Sequence, residues 1–205
     1  MLSSIKTIIF DIGGVLIDLD RQRCVDSFTA IGFPEADNLI DCYHPADFFQ
    51  KLERGEISVE EVCDIIRQKA EKEIPNEAIC KAYCDFLTGL PLSKLRMMES
   101  LRQRGFKIFA LSNTNQIVFP KVRELFAADG KCIDDYFDKL YLSCEMGCLK
   151  PDAEIFEKLI ADSGIIPSEA LFIDDSEHNV LAGKEFGMNV YLAKAYEDYS
   201  HIFEM

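Results

Sequence analysis

Thr7-Ile8-Ile9-Phe10-Asp11-Ile12-Gly13-Gly14 is the stretch on which the fold turns. An apolar run of this length, ended by an acid and a glycine pair, reads as a buried strand that runs into a flexible turn. Four later segments repeat the pattern: Lys107-Ile108-Phe109-Ala110-Leu111, Lys139-Leu140-Tyr141-Leu142, Ala170-Leu171-Phe172-Ile173-Asp174 and Asn189-Val190-Tyr191-Leu192. Helical spacing separates most of them. Leu92, Leu95, Met98 and Leu101 form one apolar stripe, with Gly105 as its stop. Pro151 is placed to open a second helix carrying Ile155, Phe156, Leu159 and Ile160, which Gly164 ends. Val180, Leu181 and Phe186 mark a third, stopped near Gly187.

Strands apolar on both faces and alternating with helices predict an α/β fold, a Rossmann-like parallel sheet with helices on both faces. Residues 18–88 interrupt the alternation and read as mostly helical, with Ser58-Val59-Glu60-Glu61 as a capping box followed by Val62, Ile65 and Ile66. The expected organisation is therefore a core domain from residues 1–17 and 89–205, with a small helical cap of residues 18–88 inserted after the first strand. Phe48, Phe49 and Phe86 are expected to pack inside that cap.

The 205 residues are 48% apolar and 28% charged, as in a globular protein with a full core. The net charge of −14 repels phosphodiester backbones and anionic lipid, so neither nucleic acid nor membrane is the expected partner. No apolar run is long enough to span a bilayer, and residues 1–6 carry no signal-peptide pattern. The cysteines (Cys24, Cys42, Cys63, Cys80, Cys84, Cys132, Cys144 and Cys148) form no C-x-x-C pair. His44, His178 and His201 follow no zinc spacing, so the expectation is free thiols in a reducing cytoplasm.

In such a sheet, ligands bind beyond the carboxyl ends of the strands. Those ends carry Asp11, Ser112-Asn113 and Asp174-Asp175, and Lys150-Pro151-Asp152 supplies an ammonium group. Together they offer what phosphoryl transfer needs. Asp11 can act as a carboxylate nucleophile. Asp11 and Asp175 can share a hard cation such as Mg²⁺. Ser112, the amides of Asn113 and Thr114, and Lys150 can offset charge on the transferring group. Each residue also has a structural reading, as a turn cap, a loop cation or a surface acid. Two adjacent carboxylates after a buried strand, however, are costly to hold without a cation.

These four pieces, in this order, resemble the haloacid dehalogenase-like hydrolase superfamily over nearly the whole chain, the insertion resembling its helical cap. Phe48-Phe49 through Gly55-Glu56-Ile57-Ser58, with Leu111-Ser112-Asn113-Thr114-Asn115 and Lys150-Pro151, look most like the branch that contains α-D-glucose-1-phosphate phosphatase. The resemblance implies a Mg²⁺-dependent phosphatase for a small phosphorylated metabolite, with a sugar phosphate favoured. It makes Asp11 the nucleophile that becomes an aspartyl-phosphate, and Ser112, Asn113 and Lys150 the phosphate ligands. The metal ligands would be Asp11, Asp175 and the Gly13 carbonyl, with Asp174 beside them, and Asn179 stands at a position often acidic in relatives. The chain departs from the family at Gly13, where most such phosphatases carry a second aspartate that protonates the leaving oxygen. Asp18, Asp20 or an ordered water are the expected substitutes. Gly13 also motivates a rival reading, a phospho-ligand-binding protein without turnover. A metal-independent dehalogenase is a third, disfavoured by Asp174-Asp175.

Overall fold

The computed structural model describes residues 4–38, 40 and 46–203. Residues 1–3 of the N-terminal segment, Cys42 and His44 lie outside them. The central sheet is built from β1 (Thr7–Phe10), β4 (Lys107–Ser112), β5 (Lys139–Leu142), β6 (Ala170–Asp174) and β7 (Asn189–Leu192), in the order β5-β4-β1-β6-β7. Every pairing in it is parallel. The chain fills one side of β1 first and then crosses to the other, so the direction reverses beside β1, where such sheets form their ligand crevice.

Alternation along the strands explains why both faces are buried. Ile8 and Phe10 pack with Ile108, Ala110, Leu171 and Ile173 in one core. Ile9 packs with Phe109, Leu111, Ala170 and Phe172 in another. The first core takes Leu95, Met98 and Leu101 from α5 (Leu92–Gln103) and Val122 and Phe126 from α6 (Phe119–Phe126). The second takes Ile155, Phe156 and Leu159 from α8 (Ala153–Ser163), and α9 (Glu177–Glu185) adds Ala182. The second helix begins two residues later than Pro151 suggests. Asp152 is its N-cap residue, and Pro151 follows a cis peptide bond. Leu181, read as part of an apolar stripe, is exposed.

Residues 18–89 stand outside this sheet. They form α1 (Arg21–Ala30), α2 (Asp47–Glu53), α3 (Val59–Ala70) and α4 (Asn76–Cys84), entered and left through the antiparallel pair β2 (Asp18–Leu19) and β3 (Leu87–Gly89). The strand pair is too short to show a period in sequence. Ser58 and Glu61 do form a reciprocal capping box, with Glu61 N–H donating to Ser58 Oγ at 3.2 Å and Ser58 N–H to Glu61 Oε2 at 2.7 Å. Phe48 and Phe49 are buried, and Phe49 stacks on Tyr83 with ring centroids 4.5 Å apart. None of the seven described cysteines is joined in a disulfide. Among the described residues, no helix is long and apolar enough to cross a membrane.

Candidate active site

Parallel strands present their carboxyl ends along one edge, and register brings three of them level. Phe10 is opposite both Ala110 and Ile173, so Asp11, the next residue, lies between the ends of β4 and β6. Asp11 N–H continues the ladder, donating to Ile173 O at 2.9 Å. Lys150 arrives from the loop between α7 (Ser143–Met146) and α8. Its fully desolvated Nζ lies 3.0 Å from Asp11 Oδ2 and 2.6 Å from Asp174 Oδ2. Asp11, Asp174 and Asp175 each offer a carboxylate oxygen within 4.8 Å of the others'. The structure thus gathers Asp11, Lys150, Asp174 and Asp175 at one point.

The two adjacent acids differ in what they touch. Asp174 Oδ1 accepts from Ser176 N–H and from Asn179 Nδ2, both at 2.9 Å, and its Oδ2 takes Lys150. Asp174 is thereby committed to holding the lysine. Asp175 packs against Gly14, whose φ of +72° places the backbone where a Cβ would come within 2.1 Å of Asp175 Oδ2. Gly14→Ala is therefore expected to push Asp175 out of the cluster and weaken Mg²⁺ activation at least tenfold, because strain at the positive φ and loss of a carboxylate both act there. A Mg²⁺ titration of phosphate release checks this. An unchanged midpoint would mean that Asp175 takes no part in holding the cation.

The loop after β4 is held in place by its own polar groups. Asn113 is locked to the lysine backbone, with Nδ2 donating to Lys150 O at 3.0 Å and Lys150 N–H donating to Asn113 Oδ1 at 2.9 Å. Thr114 N–H donates to Ser143 Oγ, and Ser143 Oγ–H to Thr114 O. The Asn113 side chain and the Thr114 amide are thus engaged within the protein, while the Asn113 amide and the buried Ser112 hydroxyl stand at the strand end. The sequence offered no sign of Ser143, because a lone serine in a loop resembles any other.

Desolvation raises the Asp11 carboxyl to about 7, Lys150 opposing and Asp174 and Asp175 reinforcing the shift. Lys150 is itself raised: Asp11 and Asp174 outweigh the desolvation that pulls it down. An arrangement that crowds three acids around one ammonium carries excess negative charge, and a divalent cation relieves it. Oxygen donors at this spacing suit a hard cation.

Asp18 and Asp20 are not part of this cluster. Asp20 caps α1, accepting from Gln22 N–H at 2.9 Å, and Asp18 lies 3.7 Å from Lys94 Nζ. A Cβ at Gly13 would meet only the Leu19 side chain at ordinary contact distance, so crowding does not dictate the missing side chain. Sequence reading passed over Glu53, the last residue of α2. Desolvation, with the Asp11 charge adding to it, raises its carboxyl to about 7 against the pull of Lys150 and Arg54.

The haloacid dehalogenase-like hydrolase family matches residues 5–187. The chain belongs to that family. It is 39% identical over 188 residues to the D-ribitol-5-phosphate phosphatase of Bacteroides thetaiotaomicron, covering 91% of each chain. A haloacid dehalogenase-like enzyme of the same organism, solved with magnesium and inorganic phosphate, superposes with a TM-score of 0.92 at 39% identity, over 98% of this chain and 100% of that one. A hydrolase of the family from Porphyromonas gingivalis superposes with a TM-score of 0.87 at 35% identity, over 98% and 97%. The chain is thus an enzyme, a haloacid dehalogenase-like phosphoric monoester hydrolase.

Proposed function

We propose that the protein is a Mg²⁺-dependent phosphatase that hydrolyses a small sugar or polyol phosphate through an aspartyl-phosphate at Asp11. The convergence of Asp11, Lys150, Asp174 and Asp175 at the carboxyl edge of the sheet carries this reading. The relative that acts on D-ribitol 5-phosphate supports the substrate class.

Asp11, Asp175 and the Gly13 carbonyl would hold Mg²⁺, which when bound neutralises phosphoryl charge and lets Asp11 approach as a carboxylate. Asp11 Oδ attacks phosphorus, and the bond to the leaving oxygen breaks in line. Lys150, fixed by Asp174 and by Asn113, presents a positive charge to the phosphoryl oxygens, and the Ser112 hydroxyl and Asn113 amide bind them. Because these groups are held before substrate arrives, little reorganisation is left for the reaction itself. Water then cleaves the acyl phosphate and frees Asp11.

The helical unit of residues 18–88 acts as a cap that limits substrate size. The acidic surface disfavours nucleic acid and anionic membranes as partners, and the absence of disulfides among the described cysteines suits the cytoplasm. A phosphate-release screen of sugar, polyol and nucleoside monophosphates tests the reading. Release is expected for the first two, abolished by EDTA and restored by Mg²⁺. Absence of release from every monoester, or release that EDTA leaves intact, would refute it.

A further inference from the structure

Cleaving a phosphate from a sugar or polyol expels an alkoxide, which needs a proton. Gly13 cannot supply one, and among the described residues three candidate acids are engaged elsewhere. Asp20 caps α1, Asp18 lies beside Lys94, and both oxygens of Asp174 are engaged. Glu53 is a different case. It ends α2, where the helical unit meets the core. That end is fastened to the loop bearing Lys150 by Arg54 Nη2, which lies 3.1 Å from Asp152 Oδ2. The next residue, Gly55, approaches so closely, at φ +69°, that a Cβ there would stand 2.5 Å from Cys144 O. Glu53 is partly buried in this seam, in electrostatic reach of Asp11 and Lys150 from the core, Arg54 and Tyr83 from the helical unit, and Cys144 from α7. In an in-line attack by Asp11, the leaving oxygen stands on the side of phosphorus opposite Asp11.

We propose that Glu53 is the catalytic acid that replaces the residue missing at position 13, protonating the leaving oxygen from the cap side. The proposal rests on the phosphatase reading above. As the Asp11 Oδ–P bond forms and the ester P–O bond breaks, the Glu53 O–H bond breaks and its proton passes to the leaving oxygen, so the alcohol departs neutral. In the second step, water oxygen bonds to phosphorus, the Asp11 Oδ–P bond breaks, and the proton lost by water returns to Glu53. A carboxyl lifted into the neutral range suits both directions of transfer. The supply of acid then depends on the seam between the helical unit and the core, because Glu53 reaches the leaving oxygen from α2 and Asp11 reaches phosphorus from β1.

The test is single-turnover cleavage, enzyme in excess, by wild type and Glu53→Gln, which keeps the size of the side chain and loses its acidic proton. Two esters are compared: ribitol 5-phosphate, whose alkoxide needs the proton, and 4-nitrophenyl phosphate, whose phenolate leaves without one. Alcohol release from the alkyl ester is expected to fall about 10²–10⁴-fold, and phenolate release by less than about tenfold. Equal losses on both esters, or no loss on the alkyl ester, would overturn the assignment. Circular dichroism and Mg²⁺-dependent binding of inorganic phosphate confirm that the variant is folded with its site intact. If wild type cleaves neither ester, the phosphatase reading itself fails; if wild type cleaves both and the losses are equal, only the role of Glu53 falls.

Discussion

Asp11→Asn is expected to lower Mg²⁺-dependent phosphate release by on the order of 10⁶-fold, the scale on which removing the nucleophile disables a hydrolase that works through a covalent intermediate. An amide in the same place keeps the shape of the side chain and cannot form the acyl phosphate. The fold is expected to survive, and the stability data separate lost chemistry from lost structure. In the protein without a cation, the Asp11 carboxyl is raised from 3.8 to about 7. A carboxyl shifted upward on folding binds its proton more tightly in the folded state. Its contribution is fully present below the unfolded value of 3.8 and is lost as pH climbs through about 7. The asparagine variant has no such group. Its melting temperature minus that of the wild type should therefore rise between pH 4 and pH 7, as measured without metal, and saturating Mg²⁺ should narrow the gap by stabilising only the wild type. A difference that stays flat across this range would show that Asp11 carries no such penalty, and residual turnover above about one part in a thousand would remove it as the nucleophile.

Lys150→Met has the second-largest expected effect, and it acts on stability as well as rate. The ammonium is fully buried between Asp11 Oδ2 and Asp174 Oδ2. Taking it away leaves Asp174 with a carboxylate oxygen stripped of its cation inside the protein, a change that typically costs about 3–5 kcal/mol. For a chain of this length each kcal/mol moves the midpoint by about 2–4 °C, so a fall of roughly 6–20 °C is expected in thermal denaturation at pH 7.5. Phosphate release should drop with it, since the charge opposite the phosphoryl oxygens is gone. A variant that melts with the wild type would mean that water or a cation takes over the lysine's place. Lys150→Arg keeps the charge but not the compact geometry that fits between two carboxylates, and is expected to recover stability better than turnover.

Much of this site could be read before any coordinates. The apolar runs at residues 7–10, 107–111, 139–142, 170–174 and 189–192 became the five strands, because a continuous apolar run leaves a clear signal even where, as in β7, the strand is only partly buried. Asp11, Ser112 and Asp175 stood out because each ends or follows such a run in an order that sheet topology converts into proximity, and Lys150 stood out only in the company of those three. What escaped notice was short or distant. β2 and β3 are a pair of fragments with no period to detect. Asp18 and Asp20, the expected substitutes for the missing acid, lie beside Lys94 and cap a helix. Glu53 was missed because forty-two positions separate it from Asp11, and nothing in a run of helical residues says which acid will face the core.

Sequence alone determined the periodicity, hence the strands, the helices and the parallel order that puts three polar strand ends on one edge. Those are local properties, set by side-chain alternation and by which residues can be buried. The tertiary structure decided which acid does what. It gave Asp174 to Lys150, set Asp175 against Gly14, tied Asn113 to the lysine backbone and brought the end of α2 down beside the Lys150 loop. Electrostatic role depends on distance and desolvation, and both are fixed only when segments far apart in the chain close on one another.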